Sequence, residues 1–464
     1  PCRTVRHGSP RTASPFSHRV RRLTRTDVLH GSTPFSAPVV VFDDSHVASD
    51  VRLAPVNDLR EAGEIRTGFL TTLERLERRL SPPVARFVPP DLARITRERR
   101  AEPPVNELLV LDRVGNRPIL LVNARAPLGY LAARSVKPGE GVLAADGSLV
   151  AAVCEAPTAA AFLRALLAGD PAPLPPVQTR GVGTTAHEVV AARVLHRPWH
   201  VRAMRDACLS DDLAHEIPLR LAARQSTPPL PAGVTVVGRH PVFIHPAASI
   251  FQSAVVDASG GPVLIDEHAT VRPGSILIGP CAIGIHSTVL DRAVIRPGTA
   301  IGPWCKVAGE VGGTIFQGFA NKAHDGYLGD SFVGEWVNLG AGTTNSNLLN
   351  TYGEIVARPL ERSAGPAGSN ERTGETFLGC VLGDHVKTAI GTRIMTGSIV
   401  GTGTMFAGSV PLAGTVPAYS WITDAGSKAY RFDKFLEVAQ AAMARRNIKP
   451  GPAYVERLKS LTAN

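Results

Sequence analysis

"IDEHATVRPGSILIGPCAIGIHSTVLDRAVIRPGTAIGPWCKV", residues 265–307, repeats every six positions. Ile265, Val271, Leu277, Ile283, Val289, Ile295, Ile301 and Val307 are all aliphatic. Four positions after the first seven stand Ala269, Ser275, Cys281, Ser287, Ala293, Thr299 and Cys305, all small. A period of six is neither the 2 of a strand nor the 3.6 of a helix. It fits a hexapeptide solenoid, in which each hexad forms one flat side of a triangular prism. The aliphatic residue points inward, the small one sits at the corner, and Pro-Gly pairs accept the bend. Three hexads close one coil, so each inward residue is expected to stack on its counterpart eighteen residues later. One hexad cannot bury its apolar side alone, but a stack can, at roughly 1.5–3 kcal/mol per buried aliphatic.

The same rhythm returns at Leu382, Thr388, Ile394, Val400, Phe406 and Leu412, with Val386, Thr392, Ser398, Thr404, Val410 and Val416 at the small positions. Between the runs, "FANKAHDGYLGDSFVGEWVNLGAGTTNSN" 319–347 breaks the period. It is rich in Asn and Gly, and Gly326, Gly329, Gly334, Gly340 and Gly342 are expected to give a substrate access to the backbone. A polar, Gly- and Pro-containing loop, 348–377, follows. Loops on a rigid solenoid are where sites are built.

Composition sets the outer limits. The 464 residues suffice for two or three domains, and abundant Gly and Pro favour turns and short strands. Of the net charge of +10, +6 lies in residues 1–36, so a folded nucleic-acid-binding patch is not implied. That leader, 1–37, reads as disordered or targeting-like and carries no apolar core of a secretory signal. No stretch reaches the ~20 apolar residues of a membrane span. Six Cys without a CxxC pair point to a reducing cytoplasm rather than to a disulfide or zinc framework.

With "AHDGYLGD" 323–330, "NLGAGTTNSN" 338–347, "KVAGEVGGTIFQGFANKAHDG" 306–326 and "VLGDHVKTAIGTRIMTGSIVG" 381–401, the chain resembles the GlmU-like sugar nucleotidyltransferase family. It is similar to the bifunctional N-acetylglucosamine-1-phosphate uridyltransferase/glucosamine-1-phosphate acetyltransferases, from about residue 38 to 445. The resemblance implies a left-handed coil and a homotrimer. It implies acetyl-CoA as co-substrate, and sugar phosphates and nucleotides as small-molecule partners. It makes His324 a general base on a sugar amine, with Tyr327 and Asn347 holding the sugar or acyl group. Arg296, in "IRPGT", falls on an Arg that binds the sugar phosphate. Lys322 and Asn345 are further substrate-binding candidates. A family Lys that contacts the acceptor phosphate falls near Gly312 here, which leaves the acceptor open. A rival reading uses His268 and His286, eighteen apart, as zinc ligands of a trimeric carbonic-anhydrase-type enzyme; zinc requires a third protein ligand, which the spacing does not supply.

In the first half, "APVVVFDD" 37–44 reads as a buried strand, and "RPILLVNARAPLGYLAA" 117–133 as another buried strand followed by a turn. "RTGFLTTLERLERRL" 66–80 and "TAAAFLRALLAG" 158–169 read as helices, the first with Phe69, Leu70, Leu73, Leu76 and Leu80 on its apolar face. The alternation predicts an α/β domain, nucleotidyltransferase-like by resemblance. By the same resemblance Arg60 and Arg66 are candidates for phosphate contact. The family's triphosphate-wrapping Gly-rich loop is missing, and Arg125 stands where a metal-binding Asp is expected. An Arg cannot ligate Mg²⁺, so Arg125 is a substrate-binding candidate only through direct contact with phosphate. Mg²⁺ belongs here only if the domain still transfers nucleotidyl groups, and binding without transfer is the alternative, with the prism as a trimerisation scaffold.

Residues 427–446 read as a helix with Ser427 as N-cap and an apolar face of Phe432, Phe435, Leu436, Ala439 and Met443. Lys428, Arg431, Arg445 and Arg446 are candidates for the phosphates of coenzyme A. The expected layout is a leader 1–37, an α/β domain 38–224, a Pro-rich linker 225–236, a parallel β-helix 237–423 and a helical cap 424–464.

Overall fold

The computed structural model describes residues 37–462, apart from 49, 116, 171–173, 182, 184, 224–228 and 362–368, and leaves out the side chains of 186 and 187. The leader reading and part of the linker reading lie outside the described residues.

Six strands form the N-terminal sheet: β1 (Val39–Phe42), β2 (Ala85–Phe87), β3 (Ile119–Asn123), β4 (Glu140–Leu143), β5 (Leu149–Cys154) and β6 (Gln178–Arg180). Their order is β2-β1-β3-β5-β4-β6. β1 lies parallel to β2 and β3, while β5 runs antiparallel to β3 and β4. Val39, Val40, Val41 and Phe42 are buried on both faces, as a central parallel strand requires. The first helix is shorter than the sequence suggests, Thr72–Arg79. Thr71 caps it through a reciprocal box with Glu74, so Phe69 and Leu70 enter the core from the preceding turn. The sequence reading missed the longest helix, His200–Ala222, whose Val201, Met204, Cys208, Leu209, Leu213 and Ile217 form a buried stripe.

The second half is a parallel β-solenoid of triangular section. Ile265 pairs with Ile283 and Ile283 with Ile301; Val271 pairs with Val289, and Val289 with Val307. The eight aliphatics of the first run and their seven small companions are all buried. The second run behaves alike except for Val410, 63% exposed at a corner. At the break the coils tighten: Ile301 pairs with Phe316 and Val307 with Lys322. Val333 then pairs with Leu382; after Asn338 and Asn345 have completed that coil, the chain leaves the prism as a strap carrying a small hairpin, Val356–Ala357 with Glu371–Arg372, before it rejoins.

One corner carries a ladder of rings that the period could have revealed. His268, His286, Trp304, Phe319, Trp336 and His385 take left-handed backbone angles at the same corner of successive coils. Their rings stack, with centroids 4.2–6.5 Å apart and interplanar angles of 5–26°. Offset stacking of this kind adds ~0.5–1.5 kcal/mol per pair beyond burial.

The two halves share one core. Phe243, Leu264, Ala282, Ala300, Ile315 and Phe332 point outward from the second face, yet they are buried against Leu73, Trp199, Met204 and Leu213 of the N-terminal domain. An ion network seals the edge. Arg60 meets Asp384 at 2.8 Å and Glu335 at 3.3 Å, and Arg99 meets Glu335 at 2.8 Å. Against the burial that would raise it, Arg99 and Arg60 hold the Glu335 carboxyl below its usual range. At the C-terminus Ser427 and Lys428 lie in a strand, Gly426–Ala429, paired with Ser420–Thr423. The helix therefore begins later, Phe432–Ala444, with Arg431 at its N-cap and no side-chain cap. A further helix, Pro452–Ser460, was not anticipated. Both helices cover the aromatic corner.

Candidate functional site

The broken stretch wraps one face of the prism. Strand Asn321–Lys322 ends on the third face, residues 323–326 turn the corner, and strand Tyr327–Gly329 crosses the first face. His324 is therefore placed at one edge of that face and Asn347 at the other, where the strap departs. His324 is exposed, and its imidazole has no hydrogen-bond partner among the described residues. It lines a cleft of about 440 Å³ together with Asp291, Arg292, Gly309 and Asp325.

At the far edge the Asn347 amide donates to the Tyr327 hydroxyl at 3.0 Å and to Asp330 at 2.8 Å. Burial, then Asp330 and Glu310, push the Tyr327 phenol above its ordinary pKa, so it stays protonated. Gly329 leaves room for the phenol: a Cβ on it would come within 2.2 Å of the Tyr327 hydroxyl, and the ring would have to shift. Gly326 and Gly340 serve the stack instead, since a Cβ on either would strike the backbone of the next coil. Those glycines therefore let coils approach each other rather than admit a substrate. Arg296 projects from the same face and pairs with the exposed Glu310.

Asp330 connects this site to the other domain. Its Oδ1 accepts from Arg205 at 2.6 Å and from Arg202 at 3.3 Å, both on the long helix His200–Ala222. Arg205 also donates to the Gly313 carbonyl at 2.6 Å, and Arg202 pairs with Glu375 of the strap. The sequence reading passed over all three. Asp330 stood within the quoted motif, and the i, i+3, i+4 stripe of the helix was legible.

Other candidates are placed away from any substrate. Lys322 occupies the inward column of Val271, Val289 and Val307 and is 1% exposed. Its ammonium donates to the carbonyls of Ala308, His324 and Asp325 at 3.1, 2.9 and 3.3 Å. Burial pulls its pKa down to about 8. Lys322 thus braces the turn that carries His324 and cannot contact a substrate directly. Asn345 is likewise buried, clamped to both N–H and C=O of Gly329 at 2.8 and 2.9 Å.

The N-terminal arginines are consumed by the fold. Arg60 is fully buried in the interdomain ion network. Arg66 is turned to Gln317 and to the Phe69 carbonyl. Arg125 is buried and grips Asp44 with two nitrogens, at 2.6 and 3.0 Å. These contacts correct the expectation of phosphate binding at all three. The carboxyl ends of parallel strands are where α/β domains bind ligands. Here that crevice is filled by the Arg125–Asp44 pair, while Asp43 accepts the backbone N–H groups of Ser45 and Ala62. The residues do not fit Mg²⁺, because each carboxylate near the strand ends is already engaged by a cation or by N–H donors. No three His, Cys, Asp or Glu among the described residues form a metal-binding group. His268 and His286 stack ring on ring, within the aromatic ladder rather than a zinc site. Lys428 and Arg431 are exposed at the terminal hairpin, Arg431 pairing with Asp433, whereas Arg445 and Arg446 lie at the other end of the helix.

Residues 39–216 match the family described as sugar nucleotidyl transferase. The chain is similar to GlmU. The bifunctional protein GlmU of Nostoc sp. (strain PCC 7120) is 25% identical over 186 residues, 35% of this chain and 39% of that protein. The bifunctional sugar-1-phosphate nucleotidylyltransferase/acetyltransferase of Sulfurisphaera tokodaii is 30% identical over 143 residues, 30% of this chain and 34% of that protein. The matches thus span little more than a third of these GlmU-like relatives. A hexapeptide transferase family protein from Anaplasma phagocytophilum matches at 14% identity and TM-score 0.20, over 49% of this chain and 95% of its own. No helix among the described residues is long and apolar enough to cross a membrane.

Proposed function

We propose that this GlmU-like chain is a transferase of amino-sugar phosphate metabolism whose working centre is the prism, with His324 as general base for CoA-dependent acyl transfer. The exposed, unpartnered imidazole of His324, set on a cleft where the coil tightens, carries this reading. A neutral imidazole takes the proton of a sugar amine as the amine nitrogen bonds to the thioester carbonyl carbon. The carbon–sulfur bond then breaks, and the coenzyme A thiolate leaves with a proton. Tyr327 and Asn347, joined through one amide, offer a hydroxyl and an amide to the sugar. Arg296 stands on the same face with its guanidinium exposed, suited to the sugar phosphate. Val237 and Ile276 are exposed on the outer side of this face, which favours a homotrimer built across it.

For the N-terminal domain we propose that nucleotidyl transfer is absent, because Arg125 neutralises Asp44 where a metal ligand is needed. The test is acyl transfer from acetyl-CoA to amino-sugar phosphates beside a melting curve. His324→Ala should lose at least ~10²-fold in turnover and melt as the parent does. A fully active variant, or no turnover in the parent with any amino-sugar phosphate, overturns the proposal.

A further inference from the structure

A second cleft lies between the third prism face and the last turn of helix Phe432–Ala444. Its volume is about 290 Å³, near the lower end of the ~300–1,000 Å³ of small-molecule sites. Its walls bring together Asn321, Asn338, Lys387, Arg445 and Arg446 beside the edges of Phe319 and Trp336. Three cations line it and no carboxylate does. Asn321, Asn338 and Lys387 sit one above another, because Asn338 bridges to both neighbours in parallel register.

Of the three cations, Lys387 is not explained by the fold. Arg445 and Arg446 follow the carboxyl end of the helix, whose free carbonyls favour positive charge. Arg446 also donates to Asn321 Oδ1 at 3.0 Å. Lys387 has no such reason to be there. It projects from a prism strand, is only partly exposed, and has no hydrogen-bond or ion-pair partner among the described residues. Burial, and then Arg445, pull its pKa down to about 8. A half-buried ammonium without an acceptor costs stability that a Gln or Met at the same position would not.

We infer that this cleft is a binding site for a phosphate-bearing small molecule, with Lys387, Arg445 and Arg446 on the phosphate oxygens and the Asn321 and Asn338 amides on neighbouring polar groups. Phosphate supplies the acceptors that Lys387 lacks, and guanidinium groups match its geometry. The inference is independent of acyl transfer at His324, and a site that fails here leaves that proposal standing.

The test uses the full chain, with inorganic phosphate, glucosamine 1-phosphate, coenzyme A and dephospho-coenzyme A as probes in thermal shift and calorimetry. At least one probe should raise the melting temperature, and Lys387→Gln should weaken its binding at least tenfold. Without any probe, Lys387→Gln should melt at or above the parent, the sign expected when an unpaired buried cation is removed. Binding should persist in His324→Ala. Response to coenzyme A but not to its dephospho form would identify the ribose phosphate as the group held; response to inorganic phosphate alone would identify a free-anion site, and either supports the inference. Absence of binding by all four probes, unchanged binding in Lys387→Gln, or a probe-free melting temperature lowered in that variant would overturn it.

Discussion

Arg205 of the N-terminal domain donates to Asp330 of the solenoid at 2.6 Å, and the other oxygen of that carboxylate receives the Asn347 amide at 2.8 Å. One carboxylate therefore couples the long helix to the edge of the candidate site. Arg205→Gln should lower acyl-transfer turnover about tenfold through misplacement of Asn347 and Tyr327, with Arg205→Lys recovering part of it. The Michaelis constant for acetyl-CoA should stay within about twofold. Parent turnover in Arg205→Gln would show that Arg205 merely joins the domains.

Ile283 stands in the middle of an inward column, paired with Ile265 above and Ile301 below. Ile283→Asp would place a carboxylate where no donor reaches it. Loss of more than about 4 kcal/mol, or of soluble protein, is expected. Denaturant melts of parent and variant decide the matter, and coincident curves would contradict the inward register.

Lys322 holds three carbonyls with one ammonium, two of them in the turn bearing His324. Lys322→Met keeps the volume and removes the donor. About 1–3 kcal/mol of stability should be lost to unsatisfied carbonyls. Turnover should fall in samples that are still fully folded, because the His324 turn is no longer braced. A variant equal to the parent in both respects would make the lysine dispensable.

Alkaline pH should unfold the protein through its thiols. Cys154, Cys208, Cys281, Cys305 and Cys380 are free and buried. Burial raises Cys281, for example, from 9.0 to about 12. A folded pKa above the unfolded one means stability is complete below pH 9 and falls as pH climbs toward the folded value, by roughly 1.4 kcal/mol per pH unit for each thiol. Lys322 and Lys387, drawn from 10.5 to about 8, act in the opposite sense between those values. Five thiols outweigh two lysines, so stability should drop from about pH 9 upward. Denaturant midpoints at pH 8, 9 and 10 should show a shallower decline in Cys281→Ala by about one thiol's share; an unchanged slope would mean that Cys281 does not titrate with unfolding.

The prism was legible because its repeat is a local pattern copied many times. Ile265, Val271 and Leu277 state the inward column, and counting eighteen residues gives Ile283, Val289 and Ile295 as their neighbours. Closing the coil turns a local period into long-range pairing without further information. The stretch that carries the candidate site was legible for the same reason, since a broken period marks itself.

Charge partners carry no such signal. Arg60 looked like a phosphate ligand until its partner, Asp384, came from the other half of the chain, and Arg125 until Asp44 closed on it. Lys322 read as a substrate-binding candidate, although the tightened coil had moved it onto an inward column. Outward residues such as Leu264 and Phe332 gave no sign that another domain would cover them. The sequence determined which residues turn inward, because burial follows a period. Only the tertiary structure decided which charges remain free, because electrostatic pairing depends on distances between segments far apart in the sequence.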